Sequence, residues 1–400
     1  MSDDLDREAA RTLAAEPSVA RLLAVLDEAG EETRIVGGAV RNTLIGLPAA
    51  DIDLATTTLP EETMRRARAA GFKALPTGIK HGTVTVLIKR ESFEVTTLRE
   101  DIDTDGRHAV VRFGRDFAAD ARRRDFTINA LSLDRAGEVH DHTGGLADLA
   151  SRRIRFIGDA ATRIREDYLR VLRFFRFQAQ YGEGPIDREG LAASIAARDE
   201  LARISRERIR AELLKLVTAR RGSEVAAIFE QAGLLGRLVP CLGDAGRLAR
   251  SAGRPAIMRL GAYLVRTTAD ADRLKEALRL SKGEHGSLVA YARALTRLLS
   301  HEGEVDAAEA MRTAVLHSPR ALASALAATN GERRPRVAPE AIELSGQLMS
   351  GDVPLPQFPL SGKEFLAAGA EPGPGLGRRL AAARAAWIAA GCPRDWRVAD

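Results

Sequence analysis

Asp51 and Asp53 are residues whose types and spacing suggest chemistry. In an extended segment, residues two apart share a face. The two carboxylates then point one way, and Ile52 and Leu54 turn toward a core. Such a pair can hold Mg²⁺ against a polyphosphate, because Mg²⁺ is typically bound by one or two carboxylates plus substrate phosphates. Upstream, Ile35-Val36 can end a buried strand, and Gly37-Gly38 follow it. At a glycine, backbone and ligand can approach closely because no Cβ intervenes. Residues 39–45 can then form a helical turn or two that presents Arg41. A lone D-x-D is usually a solvated strand edge, and a lone GG-x-x-R an ordinary turn. Both together, in this order within 34–58, are much harder to obtain by chance.

The elements that must position these groups form a mixed head. Strand patterns fall at 34–36, 52–55, 83–88, 93–97, 130–133 and 154–156, with helices at 39–45 and 60–70. A leader at 4–29 reads as helix with a second start at Pro17-Ser18. Glu94 lies on a strand after the D-x-D, as a third carboxylate or as a surface glutamate. Residues 100–117 are charged and Gly-containing, and read as a long loop. Residues 120–130 are a basic cluster running into a strand. Residues 162–181 read as one amphipathic helix, with Ile164, Tyr168, Val171, Leu172 and Phe175 on one side. Arg170, Arg173 and Arg176 fan across its polar side, and Asp167 can pair with Arg170. After Arg220 the chain reads as successive helices.

These motifs resemble the class II tRNA nucleotidyltransferases (CCA-adding enzymes) and the related bacterial poly(A) polymerases, of the polymerase-beta-like superfamily. Gly37-Gly38-Ala39-Val40-Arg41-Asn42 followed by Asp51-Ile52-Asp53 is similar to that family's GG-x-VRD and D-x-D, with Asn42 in place of the usual aspartate. The eight-residue RRDFTINA is whole from Arg123, and E-D-x-x-R is present as Glu166 to Arg170. Asp141 to Leu149 resembles the family's D-x-x-GG-x-x-DL, read as structural, and 205–217 its last neck motif. The resemblance implies that Asp51 and Asp53 hold Mg²⁺ and that Glu94 completes the catalytic carboxylates. It further implies that Gly38, Arg41 and Arg124 grip the nucleotide, with Arg173 and Arg176 within reach. Asp167 and Arg170 would choose the base by imitating Watson–Crick pairing. A carboxylate accepts from the exocyclic amine of C or A, and an arginine donates to a ring nitrogen or carbonyl. Asp105 to His108 resembles the core of a pocket-remodelling loop.

The implied fold is an α+β nucleotidyltransferase head, a small mixed β-sheet with helices, followed by an all-α neck, body and tail. The expected divisions are a leader at 1–29, the head at 30–148, the neck at 149–217, a body at 218–350 and a tRNA-binding tail at 351–400. The implied activity is addition of C, C and A to the 3′ end of tRNA from CTP and ATP. Poly(A) addition, partial CC or A addition, and a non-catalytic RNA-binding protein on this fold are the alternatives.

Bulk properties agree. Sixty Lys+Arg against fifty-five Asp+Glu leave a net charge of +5, which suits a phosphate-rich partner without proving one. Aromatics are only 4% of residues, too few for a single-strand binder built on many stacking platforms. The two cysteines resemble neither a zinc site nor a disulfide framework. The acidic, polar N-terminus does not read as a signal peptide, and no apolar run spans a bilayer. The expectation is a soluble cytoplasmic protein with no membrane association and no evident obligate protein partner.

Overall fold

The computed structural model describes residues 5–49, 51–104, 109–367, 371–393 and 395–396. The chain divides into two compact units, Met1–Glu200 and Leu201–Asp400. That boundary falls inside the stretch expected as the neck.

The first unit opens with α1 (Arg7–Ala15) and α2 (Pro17–Leu26). Asp6 caps α1 by accepting from the Ala9 amide, and Pro17 starts α2, where a missing N–H costs nothing. Then come β1 (Thr33–Val36), α3 (Gly38–Leu44), β2 (Asp53–Thr56), α4 (Pro60–Ala69), β3 (Lys73–Gly78), β4 (Thr83–Ile88) and β5 (Glu91–Thr97). They are followed by β6 (Arg99–Thr104), β7 (Ala109–Phe113), α5 (Phe117–Arg122), β8 (Ser132–Leu133), β9 (Val139–His140) and α6 (Gly145–Ala150). α7 (Ala160–Glu166), α8 (Leu169–Tyr181) and α9 (Arg188–Ala196) complete the unit.

Seven strands form one mixed sheet in the order β3-β4-β5-β2-β1-β8-β9. β2 and β5 run parallel, and the other pairs are antiparallel. β1 is an interior strand, between β2 and β8, and buried along its whole length. β5 alternates, so Glu94 is exposed between buried Phe93 and Val95. The head is thus the α+β fold expected.

Several local expectations change. β2 begins at Asp53, leaving Asp51 in the bend ahead of it. The segment 127–129 forms a 3₁₀ turn, so β8 starts only at Ser132. Residues 154–156 make a single bridge, Phe156 to Phe126. β3 was not foreseen; it carries Pro76. It is an edge strand, where proline is tolerated. The segment read as a loop contains an antiparallel ribbon, β6 with β7. Residues 105–108, the loop core named above, lie outside the described residues. The single helix expected at 162–181 is two, α7 and α8, broken at Asp167, whose φ of −155° and ψ of 107° are extended.

The second unit is helical: α10 (Arg206–Thr218), α11 (Gly222–Gln231), α12 (Leu235–Leu238), α13 (Ala245–Arg250), α14 (Ala256–Leu264), α15 (Thr268–Leu278) and α16 (Lys282–Ser300). α17 (Ala307–His317), α18 (Pro319–Thr329), α19 (Pro339–Ser350), α20 (Gly362–Ala367) and α21 (Pro374–Ala389) follow. A two-residue parallel pair, β10 (Glu304–Val305) with β11 (Arg336–Val337), is the exception among the described residues. Thr267 with Asp270, and Ser281 with Glu284, form capping boxes that fix the starts of α15 and α16. α14 approaches α16 at Gly261, where a Cβ would meet Leu288 Cδ2 at 2.9 Å. No helix among the described residues is long and apolar enough to cross a membrane.

Candidate nucleotidyltransferase site

The parallel register of β2 and β5 sets Asp53 beside Glu94, and Leu54 beside Val95. Leu54 and Val95 are core residues, so their acidic neighbours face out together at one end of the sheet. Asp51, exposed in the preceding bend, adds its charge. The Asp53 carboxyl is held above the usual carboxylate range. Desolvation by the packing around it is the main cause, repulsion from Glu94 and then Asp51 adds, and Arg124 pulls the other way. Among the described residues, no three acidic, His or Cys side chains form a ready-made metal cage. The donor set here is oxygen only, and its mutual repulsion is what a dication relieves. That suits Mg²⁺, which takes few protein ligands and completes its shell with phosphate and water.

Arg124 is the cation facing this group. Asp120, 4% exposed at the end of α5, accepts from Arg124 Nε at 3.1 Å and Nη2 at 3.0 Å, and from Arg123 Nε at 2.8 Å. Burial pushes the Asp120 carboxyl up, but Arg124 and Arg123 outweigh it and hold it below its usual range. Gly37 is the other wall. Its φ of 71° and ψ of −121° suit glycine alone, and a Cβ there would lie 3.0 Å from Arg124 Nη1. Gly37→Ala should therefore strain the turn and push the guanidinium aside. For the nucleoside triphosphate that the resemblance implies, the expected result is a KM raised about tenfold, a change of ~1.4 kcal/mol. Gly71→Ala, with φ of +81° but open space around it, should lower stability and leave KM unchanged. Steady-state kinetics on the two variants make the comparison.

Arg41 does not stand at this surface. It is 5% exposed, and its guanidinium donates to Asn42 Oδ1 from Nη2 at 2.8 Å and to Tyr181 Oη at 2.7 Å. It also bonds Asn129 Oδ1 and stacks 4.0 Å above the Tyr181 ring. Burial pushes its pKa down to about 10. The structure places Arg41 inside the unit, among Asn42, Asn129 and Tyr181, and not beside Asp53. Arg176 is also interior, 8% exposed and 4.2 Å over the Phe177 ring. Gly38 opens α3 beside Arg41, and Gly37, rather than Gly38, meets Arg124.

The segment 122–125 ties this centre to α7 and α8. The Arg122 carbonyl accepts from Arg163 Nη1 at 3.3 Å, and the Arg123 carbonyl from Arg170 Nη2 at 3.5 Å. Asp125, 8% exposed, accepts from Arg173 Nε at 2.7 Å. Phe126, Phe156, Phe174 and Phe177 pack beneath, with adjacent ring centroids 4.9 to 5.2 Å apart. Asp167 sits at the helix break, where it accepts from the Leu169 amide at 3.1 Å. Arg170 pairs with Glu166 and donates to the Arg163 carbonyl at 2.7 Å. Asp167 and Arg170 thus flank the start of α8, next to the segment that carries Arg124.

The D-x-x-GG-x-x-DL segment clamps the other side. Asp141 accepts from the amides of Thr143, Gly145 and Leu146, and Asp148 from Thr127 Oγ1 at 2.6 Å. A Cβ on Gly145 would sit 2.2 Å from the Thr127 carbonyl oxygen, so only glycine fits. These contacts support the structural role read for it. Asp120, Asp125, Asn129 and Tyr181 were missed by the sequence reasoning. Asp120 and Arg124, four apart, carried a spacing signal; Tyr181, far away in sequence, carried none.

Comparisons place this geometry. Residues 33–155 match the model described as "Poly A polymerase head domain", and 185–245 match "Probable RNA and SrmB- binding site of polymerase A". The chain is 40% identical over 278 residues to a CCA tRNA nucleotidyltransferase 1, mitochondrial, of Danio rerio, covering 66% of this chain and 64% of that protein. It is 41% identical over 216 residues to a CCA-adding enzyme of Leuconostoc citreum, covering 54% and 52%. The match thus spans about half to just under two thirds of those curated relatives. The crystal structure of a Bacillus stearothermophilus CCA-adding enzyme in complex with CTP superposes with a TM-score of 0.73 at 26% identity, covering 94% of each chain. A Thermotoga maritima CCA-adding enzyme complexed with tRNA shares the fold, with a TM-score of 0.69 at 19% identity over 98% of this chain and 96% of that one. Head sheet, carboxylate end and helical remainder define a nucleotidyltransferase fold. The chain is similar to class II tRNA nucleotidyltransferases and bacterial poly(A) polymerases, over the head above all.

Proposed function

We propose that the protein adds CCA to the 3′ end of tRNA, using CTP and ATP and releasing pyrophosphate. The observation that carries this is the Asp53–Glu94 register facing Arg124, with Asp167 and Arg170 held beside the same segment. Asp51 and Asp53 would hold Mg²⁺, with Glu94 as the third catalytic carboxylate. Bound magnesium supplies activation of the terminal hydroxyl and neutralises triphosphate charge. Arg124, aligned by Asp120, binds the triphosphate, because a guanidinium fork meets phosphate oxygens two at a time. Asp167 and Arg170 read the edge of C or A. Arg173, on α8, ties that helix to Asp125, and Arg176 packs over Phe177 of the same helix in this reading. The helical unit, with the tail at 351–400, holds the acceptor arm by shape and backbone, as A-form RNA requires. The matches to CCA-adding enzymes support the substrate assignment. The cytoplasm is the location this reading assigns, and cell fractionation tests it.

The test is an extension assay with Mg²⁺ and tRNA transcripts ending at the discriminator base, at C or at CC. Three additions, CTP-dependent before ATP, are expected. Long adenylate tails on any RNA would mean a poly(A) polymerase, and stopping at CC a partial enzyme. No incorporation would leave an RNA-binding protein.

A further inference from the structure

Gly37 and the Asn129 carbonyl border Arg124 Nη1. A Cβ on Gly37 would stand 3.0 Å from it, and the carbonyl accepts from it at 3.5 Å. Both groups lead back to Arg41. The Arg41 backbone amide donates to the Gly37 carbonyl at 3.1 Å, while the Gly37 amide donates to the Leu131 carbonyl at 3.1 Å. The Arg41 guanidinium bonds Asn129 Oδ1, and Asn129 Nδ2 donates to Asp125 at 2.9 Å. The walls that confine Arg124 are therefore as steady as Arg41 is.

Arg41 is a buried cation bonded by neutral groups. Burial pushes its pKa down to about 10, so it is still charged at neutral pH. Asn42 and Asn129 supply amide oxygens, and Tyr181 supplies two contacts at once. Its Oη accepts from Arg41 Nη2 at 2.7 Å, and its ring lies 4.0 Å from the guanidinium. A cation is attracted to an aromatic face, the more so when both are out of water. Tyr181 is 4% exposed, and its ring is 5.4 Å from Phe177, which is 5.0 Å from Phe126. That packing fixes the phenol. Tyr181 ends α8 and belongs to none of the motifs read from the sequence.

We propose that Tyr181 is a positioning residue for the triphosphate arginine: it holds Arg41, and Arg41 holds the Gly37 turn and Asn129 against Arg124. The inference rests on the nucleotidyl-transfer reading above. Tyr181→Phe keeps the ring and removes the acceptor. One N–H of a buried guanidinium then lacks a partner, which is costly enough that the group shifts to find another. The Gly37 turn and Asn129 follow it, and Arg124 loses its fixed aim at phosphate. Asp125 keeps Arg173 and the Phe126 amide, so Asp167 and Arg170 stay in place and base choice is untouched.

Calorimetric titration with Mg²⁺ and no RNA present reads binding without turnover. Tyr181→Phe should weaken CTP and inorganic triphosphate alike, about fivefold, the scale of a change transmitted through a packed network. The kcat/KM preference for CTP over UTP should stay at the wild-type value. Arg124→Lys keeps a charge but not the fork that the walls aim, so Tyr181→Phe should add nothing beside it. Thermal unfolding shows that each variant is folded at the temperature of titration. Wild-type triphosphate affinity in Tyr181→Phe overturns the inference, and so does a loss that persists in full beside Arg124→Lys. A changed preference for CTP with unchanged triphosphate binding overturns it too, since the hydroxyl would then act on base choice and not on Arg124. A wild-type protein that binds neither CTP nor triphosphate overturns the underlying reading instead.

Discussion

Asp53→Asn should lower nucleotide incorporation on the order of a thousandfold, ~4 kcal/mol of lost transition-state stabilisation, while leaving the protein at least as stable. The two halves share one cause. Three acidic groups meet at the sheet end, and the Asp53 carboxyl is raised by desolvation first and by Glu94 and Asp51 next. For an acid whose folded pKa is raised, the site's contribution to stability is full below the ordinary value and declines as pH rises through the raised one. At neutral pH the ionised Asp53 therefore opposes folding. The residue is exposed, so water screens the effect to below about 1 kcal/mol. The amide removes the charge, keeps the shape and cannot bind the metal. Thermal unfolding of variant and wild type should show the variant level or higher at neutral pH, with the gap closing in acid. Rates at saturating Mg²⁺ measure the other half. A variant that unfolds several degrees earlier would mean the carboxylate supports the fold rather than burdens it.

How much of this was legible depends on how far apart in the chain the cause lies. The D-x-D was legible as two carboxylates close in the chain, but strand alternation reaches only Asp53, because Asp51 stands in the bend before β2. Glu94 was legible as a strand residue, but its register with Asp53 depends on which strands become neighbours. Arg41 carried a nucleotide-binding expectation because its motif is short and local. Its burial is set by Tyr181 and Asn129, from other elements. Residues 162–181 kept an apolar period straight through the break. The Asp167 side chain accepts from the Leu169 amide and so offers the backbone an alternative to helix. Asp ahead of an apolar run is a known helix start, and that signal was present but outweighed by the period. The ribbon of β6 and β7 read as loop because its residues are charged. A two-stranded ribbon need bury neither face, so composition says little about it.

Asp125→Ala should be the most destabilising single change in the segment that joins the carboxylate end to α8. Its carboxylate accepts from Arg173 Nε at 2.7 Å, Asn129 Nδ2 at 2.9 Å and the Phe126 amide at 2.9 Å. Burial alone would push this group up, yet Arg173 and the hydrogen bonds outweigh it and hold it below the usual carboxylate range. Removing one partner of a buried pair leaves the other charge uncompensated, which costs about 3–5 kcal/mol. Arg173 is 31% exposed and water takes up part of that charge, so the lower end, about 3 kcal/mol, is expected. In a unit of this size that lowers the unfolding temperature by roughly 6–12 °C. The pH dependence has a definite sign. A depressed carboxylate contributes stability above its unfolded pKa of about 4 and loses it as pH falls through the folded value. Wild type and variant should therefore converge in acid and separate toward neutrality. Arg173→Ala and the double variant complete a cycle, and the pair's coupling should fall in the range of about 0.5–3 kcal/mol. Because Arg170 lies on the same helix three residues before Arg173, the loss should also loosen base choice. Misincorporation of UTP and GTP by Asp125→Ala, measured below its unfolding temperature, should rise relative to wild type. A variant that loses stability but keeps its choice of C and A would show that Asp125 holds the fold without holding the selecting helix in place.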